Sequence, residues 1–230
     1  MKVKMFILLT FFAFFVNCEV PFEDNSRLLI KGQVLDENNL PITDADVAVY
    51  VGSNDNAILG SDGQLIGEGN TISDGTFSIV TLFGRDDNFI VEVFVNNEYS
   101  TYSYKTNTVI FTPTNLLIDL GTVPIKRRAL FNINITRTSP PDTEFQYTIA
   151  YKSNMCNEVY MNEELIEEES FCFNTETFGG NLSNDNPTVD TNFSSIVGSD
   201  VVFTYSVNGA PQITQTLTID QTDYEFNFSY

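Results

Sequence analysis

The side chains of this chain that could take part in catalysis are carboxylic acids. The sequence has no histidine and no motif that pairs a nucleophile with a base. The 230 residues include 31 Asp and Glu, three Cys and no His, so the commonest general base and transition-metal ligand is missing. Paired carboxylates could hydrolyse a glycosidic bond, but no spacing singles out two of the 31. Nucleophile-elbow, zinc-protease, phosphate-loop and dinucleotide motifs are absent from the sequence. We predict no catalytic residue, no metal ligand and no cofactor. The alternative is a hydrolase that uses carboxylates of the second half.

The first 18 residues have the pattern of an export signal. Two Lys precede an apolar run from Met5 to Val16, which is shorter than the roughly 20 residues of a membrane-spanning helix. The run leads through Asn17 into Cys18, with no Ala-x-Ala cleavage site. This arrangement resembles a bacterial lipoprotein precursor, in which the Cys after the run is acylated. It departs from that pattern at Phe15 and Asn17, and an ordinary secretory signal is the alternative.

The lipoprotein resemblance implies a processed, membrane-anchored protein. It implies a signal peptide at 1–17, a lipid on Cys18 and an acidic tether at 18–27, with the protein in the cell envelope on the outer membrane of a Gram-negative bacterium. The net charge of −20 disfavours nucleic acid, because phosphate binding needs clustered Lys and Arg. The remaining partner classes are a glycan, a peptide or another envelope protein.

With Cys18 assigned to the lipid, Cys156 and Cys172 remain as a pair. They flank fifteen residues, and an exported chain meets an oxidising compartment. We predict a disulfide that stabilises the fold by about 3 kcal/mol through loop closure. Two buried free thiols are the alternative.

The loop between these two cysteines is strongly acidic. It has five carboxylates between Asn162 and Glu169 but not the alternating ligands and central Gly of a calcium loop. We predict a solvated acidic helix capped by Asn162. The Asn- and Asp-rich residues 53–56 and 61–63 are likewise expected to form turns, and whether any such loop binds Ca²⁺ stays open.

The elements that must position these residues are strands. Apolar residues make up 42% of the chain and aromatic residues 13%, with many Val, Ile and Thr, which favour sheets. Alternating apolar and polar residues recur from Leu28 onward, punctuated by turn signals such as Asp74-Gly75. Residues 51–70 are rich in Gly and Asn and predict a long loop or an irregular hairpin.

One part of the first half resembles a known family, the carboxypeptidase regulatory-like domain. The pattern is G-x-V-x-D-x(4)-P-I-x-x-A-x-V followed by T-x-x-D-G-x-F-x-I. The resemblance covers 28–126 and implies a transthyretin-like β-sandwich without catalytic residues. The matching residues are Gly32, Val34, Asp36, Pro41, Ile42, Ala45, Val47, Thr71, Asp74, Gly75, Phe77 and Ile79.

The second half, 127–230, continues the strand pattern without that motif. Asn208-Gly209 marks a hairpin turn, and the end of the chain from Tyr224 to Tyr230 puts four aromatics on one strand face. We predict a second β-sandwich of about seven strands. The chain is therefore expected to be all-β, with two consecutive immunoglobulin- or transthyretin-like sandwiches. They would follow a cleaved lipoprotein signal peptide and act as a non-catalytic binding or structural module.

Overall fold

The structure is a computed structural model that describes residues 26–54, 59–60 and 62–230. The regular elements of these residues are strands and one 3₁₀ turn at Thr114–Leu116, which confirms the all-β class. Cys18, the signal segment and nearly all of the tether lie outside the described residues. None of the helical structure within the described ranges is long and apolar enough to span a membrane.

The first unit is a sandwich of two sheets. One sheet has the order β4-β1-β7 and the other contains β6-β5-β2-β3, and β7 runs parallel to β1. The seven strands are β1 (Arg27–Leu35), β2 (Asp46–Val51), β3 (Gln64–Asn70), β4 (Thr76–Leu82), β5 (Phe89–Phe94), β6 (Thr101–Thr106) and β7 (Leu117–Pro124).

The residues of the sequence motif hold this first sandwich together. Gly32 lies against the Phe77 ring so closely that a Cβ would meet its Cζ at 2.8 Å. The buried Thr71 hydroxyl donates to the Ile42 carbonyl at 2.7 Å and accepts from the Ala45 amide at 2.9 Å. These contacts tie the loop before β2 to the loop before β4. The motif therefore describes packing and buried hydrogen bonds.

The predicted turns of this unit are present. The Asp36 side chain accepts from the amides of Asn38 and Leu40, both at 2.8 Å, which closes the turn after β1. Gly75 has a φ of +77° and the Val34 carbonyl lies 2.5 Å from where its Cβ would be. A side chain there would both strain the backbone and clash. β3 pairs with β2 with a register shift after Val49, so these two strands form an irregular antiparallel pair.

The second unit is a sandwich with an aromatic core. Its sheets have the orders β14-β8-β17 and β13-β9-β15-β16. The predicted aromatic face of the last strand is confirmed, because Tyr224, Phe226, Phe228 and Tyr230 all pack against the second core. The strands are β8 (Arg128–Thr136), β9 (Phe145–Lys152), β13 (Thr175–Leu182), β14 (Val189–Ile196), β15 (Asp200–Val207), β16 (Ile213–Thr218) and β17 (Asp223–Ser229).

The two units share one strand plan. In each, the first, fourth and seventh strands form the smaller sheet, and the seventh runs parallel to the first. The second, third, fifth and sixth strands form the larger sheet in the same order. By this correspondence β16 of the second unit is the equivalent of β6 of the first. The chain is thus a structural repeat that the residue pattern did not reveal.

Residues 153–174, here called the strap, depart from this plan. They connect β9 to β13 and contain β10 (Met155–Met161), β11 (Glu164–Leu165) and β12 (Phe171–Cys172). β10 pairs in parallel with β6 of the first unit over six residues, from Met155 opposite Thr101 to Tyr160 opposite Thr106. The sequence division placed these residues in the second sandwich, whereas their strand pairing lies in the sheet of the first.

The predicted disulfide pins this strap. Cys156 and Cys172 are bonded to each other and lie opposite one another where β10 pairs with β12. On the other side of β10, the buried Ser103 hydroxyl donates to the Asn157 side chain at 2.7 Å. The strap is therefore held to itself covalently and to the first unit by a strand ladder and a buried side-chain bond.

The joint between the units is hydrogen-bonded as well. The Lys126 amide donates to the Ser100 hydroxyl at 2.9 Å, and the Lys126 carbonyl accepts from the Ser100 amide at 2.8 Å. The Arg128 amide donates to the Glu98 carbonyl at 2.7 Å. Backbone held on both sides in this way opens seldom, because each opening breaks several bonds together.

Trypsin should therefore cleave the native protein slowly after Lys126, Arg127 and Arg128, despite three consecutive target residues. Replacing both cysteines, C156S/C172S, should lower the free energy of unfolding by about 3 kcal/mol and speed cleavage at this triplet. Limited digestion followed by mass spectrometry, with urea unfolding in parallel, measures both effects. First cleavage of the native protein at the triplet would contradict a rigid joint.

Candidate functional site

The strap creates a groove on the open side of the first sandwich. The smaller sheet ends at β7, whereas the larger sheet continues past β6 onto β10, so within the described residues the smaller sheet has no strand beyond β7 to cover β10. A cavity of about 330 Å³ lies there, and we call it the strap groove. It is lined by Tyr104, Phe111, Pro113, Thr114, Asn115, Leu117, Ile118, Asp119, Leu120, Tyr160 and Glu163.

Two stacked tyrosines lie at the bottom of the groove. The Tyr104 and Tyr160 ring centroids are 4.8 Å apart, with the ring planes 27° apart. Beneath them Glu158 accepts from the Tyr102 hydroxyl at 2.6 Å and from the Tyr160 hydroxyl at 3.2 Å. One carboxylate thus fixes two phenols on neighbouring strands. Such networks rigidify a site because every member has a partner.

The phenols of this cluster are held neutral. Burial raises the pKa of Tyr102, and its hydrogen bond to Glu158 raises it further. Burial raises the pKa of Tyr104 to about 12. Burial also raises the pKa of Tyr160, with the charge of Glu158 as the next cause. At neutral pH these side chains act as hydrogen-bond donors and apolar surfaces, not as bases or nucleophiles.

Residues 107–116, the loop between β6 and β7, form the other wall. The Asn107 side chain accepts from the amides of Val109 and Ile110 at 3.0 and 3.2 Å. Glu163 reaches from the strap and accepts from the Thr114 amide at 3.4 Å. Val109 and Ile110 do not line the groove and remain 46% and 63% exposed. The wall is therefore shaped by local hydrogen bonds.

The acidic segment of the strap is not the predicted helix. Asn162 and Glu163 have φ values of 52° and 67° and form the turn of the β10–β11 hairpin, with Met161 opposite Glu164. Asn tolerates this left-handed conformation, and pairing of β10 with β6 makes an extended backbone more stable than a lone helical turn. The helix prediction was wrong because Glu164 and Leu165 pair with β10, which is itself held extended against β6.

The other candidate residues have structural contacts. Within the described residues, the grouping with ligand-like atoms close together is Cys156, Glu158 and Cys172. The two sulfurs form the disulfide, and a bonded sulfur is no thiolate ligand. Of the Asn- and Asp-rich loop, Asp55, Asn56 and Ser61 lie outside the described residues.

The rest of that loop carries turn chemistry. The Asp62 carboxylate accepts from the side chain and the amide of Asn54. The hydrogen bond from the Asn54 amide is the leading cause of a lowered Asp62 pKa. Asp62 is thus an acceptor that closes a turn.

Carboxylates meet at one place that sequence reasoning missed. On the outer face of the larger first sheet, Glu68 and Glu92 lie opposite Ala48 from its two sides, in a depression of about 380 Å³. Burial raises the pKa of Glu92, which also accepts from the Gly60 amide at 3.3 Å. The alternation of residues along each strand puts each glutamate on this face. That β3 and β5 lie on the two sides of β2 cannot be deduced from the spacing of residues in the sequence. By contrast, the cavity on the larger sheet of the second unit has no carboxylate among its described lining residues.

Known proteins resemble this chain only in general build. No protein-family model and no curated protein matches it. The shaft pilin SpaA from Lactobacillus rhamnosus GG is 6% identical with a TM-score of 0.35, over 89% of this chain and 98% of the pilin. The Streptococcal ancillary pilin is 10% identical with a TM-score of 0.31, over 90% of this chain and 63% of that one.

The Bacillus anthracis TIE protein is 13% identical with a TM-score of 0.32, over 90% of this chain. The chain spans about a third of the TIE protein, since 34% of that protein is covered. Likeness at this level does not support a shared function.

Alkaline pH should destabilise the protein through the groove tyrosines. Between pH 10 and 12 a Tyr104 phenol is ionised in the unfolded chain but still protonated in the fold. The folded state then binds more protons, so the free energy of unfolding should fall by about 1.4 kcal/mol per pH unit for this one group.

Urea unfolding from pH 9 to pH 11.5 measures this dependence, and absorbance near 295 nm reports tyrosinate. Tyr104→Phe should have a shallower slope than the wild type, because it lacks the titrating hydroxyl. Equal slopes in the two proteins would contradict the raised pKa.

Proposed function

We propose that the chain is a lipid-anchored cell-envelope protein whose two joined β-sandwiches form a non-catalytic binding module. The first sandwich would be of the carboxypeptidase regulatory-like type. We infer a lipid on Cys18 from the apolar run that precedes this residue. The acidic tether would hold the sandwiches away from the membrane. The observation that supports binding is the strap groove, because it is a mostly apolar cavity in which Tyr160 and Glu163 are held by hydrogen bonds.

The groove suits an apolar side chain of a partner polypeptide. Its walls are mostly aromatic or aliphatic. Its polar lining residues are Thr114, Asn115, Glu163 and Asp119, and the last of these is ion-paired with Lys31. A saccharide would need several polar groups along the floor, where the Tyr160 hydroxyl is already bonded to Glu158. Binding sites of this kind combine apolar walls with a few orienting polar groups. A peptide with one buried aromatic or aliphatic anchor fits that description.

A peptide-display selection tests this proposal. Wild-type protein should enrich peptides that share an apolar anchor, and Phe111→Ser should reduce their binding at least tenfold because it removes a wall of the groove. The matched control is Val109→Ser, in the same loop but outside the groove lining. Equal loss in both variants, or binding to a glycan array with no peptide enriched, would contradict the proposal.

Metabolic labelling tests the anchor separately. Cells given labelled palmitate should incorporate it into the wild-type protein and not into Cys18→Ala. The unacylated variant should also retain its signal segment and migrate as the larger precursor, since the sequence has no Ala-x-Ala site for an ordinary cleavage. Equal labelling of the two proteins would remove lipidation at this residue, without bearing on the groove.

A further inference from the structure

The sixth strand of each unit ends the four-stranded part of its larger sheet, but the two edges differ. In the first unit that strand, β6, is covered by β10 of the strap. In the second unit the equivalent strand, β16, pairs with β15 on one side. Among the described residues no strand pairs with its other side. The free side of the sixth strand is thus covered by another strand in the first unit and left uncovered in the second.

The open edge lacks the usual protection against pairing. Edge strands normally carry charges, Pro or bulges that prevent another strand from adding to them. β16 reads Ile-Thr-Gln-Thr-Leu-Thr, and no charged residue occurs from Val201 to Ile219. Thr214 and Thr216 are exposed, and Ile213 is 51% exposed. This strand therefore presents an uncharged, β-prone edge in a chain whose net charge is −20.

The other edge strands of more than two residues in the described structure carry a charge or are closed by a neighbour. The charged ones are β3, β7, β13, β14 and β17, which contain Glu68, Asp119, Glu176, Asp190 and Glu225. β4 has no charge, but β3 closes its outer side, where the Thr81 hydroxyl donates to a β3 carbonyl at 2.7 Å. Two copies of so acidic a chain repel each other wherever carboxylates meet. The β16 strand has no carboxylate of its own to add to that repulsion.

We infer that β16 is a self-association edge, on which the same strand of a second copy pairs in antiparallel fashion. A two-fold axis perpendicular to the sheet at Gln215 would place Ile213 opposite Leu217 of the second copy, and Thr214 opposite its Thr216. Because this axis is perpendicular to the sheet, the inward-facing residues of both copies lie on the same face of the joined sheet, as directly opposed residues of an antiparallel pair must. The two four-stranded sheets become one sheet of eight strands. The exposed Ile213 gains an apolar neighbour.

Sedimentation velocity on unlipidated protein tests this inference across a concentration series at about 0.15 M salt. The wild type should show a concentration-dependent dimer. Thr214→Glu/Thr216→Glu should weaken association at least tenfold, because each new carboxylate faces one of the other copy. The matched control is Thr177→Glu/Asn181→Glu, which adds the same charges to exposed residues on β13, the opposite edge of the same sheet. Circular dichroism establishes that both variants fold.

A cysteine at the two-fold axis gives a second readout. Gln215→Cys should form a disulfide-linked dimer under mild oxidation, since directly opposed residues on adjacent strands lie within bonding reach. Thr177→Cys should not. A wild type that stays monomeric at every concentration would overturn the inference. A dimer lost in the β13 variant but kept in the β16 variant would overturn it too, and would assign the association to the other edge.

Discussion

The parallel pairing of β10 with β6 is the interaction on which the rest of the molecule depends. Without it the chain is two sandwiches of one plan in series, each with an open sixth strand. With it, a segment of the second unit becomes a strand of the first, and the Lys126–Arg128 joint lies beside paired backbone instead of forming a free linker. The disulfide between Cys156 and Cys172 supports this arrangement by limiting the shapes that the strap can adopt. That ladder and the hydrogen bonds at the joint together hold the two sandwiches to each other.

The groove is a consequence of unequal sheets. A three-stranded sheet cannot cover a sheet that has gained a strand, so side chains that would otherwise be core residues border a cavity. Tyr104 belongs to the first hydrophobic core and at the same time lines the groove. The site is therefore as rigid as the core. Substitutions in its floor are expected to change both stability and recognition. Substitutions in the 107–116 loop are expected to change recognition with little effect on stability.

Local patterns predicted the parts of this fold that depend on local physics. Alternation predicted one apolar face along Ala45, Val47 and Val49, which are buried in the first core, and Gly75 marked a turn that needs a left-handed residue. Asn208-Gly209 marked the β15–β16 hairpin for the same reason. The strap was beyond such reasoning. Its acidic run has the composition of a helix, and its true partner lies about fifty residues earlier, in a strand that already had a neighbour. Which strands pair across that distance depends on the whole topology, and so does the convergence of Tyr160 on Tyr104.

The strap also orders the events of folding in time. The partners Ser103 and Asn157 are 54 residues apart, so a chain that emerges N-terminus first exposes β6 before the strand that covers it. The β6 edge stays uncovered until the strap follows. During that interval the first sandwich has an unpaired edge, and tyrosines that are buried in the complete fold are exposed to water. A chain in that state is a substrate for chaperones and a target for wrong strand pairing, so early chain termination within the strap should yield a product that aggregates instead of a stable single domain.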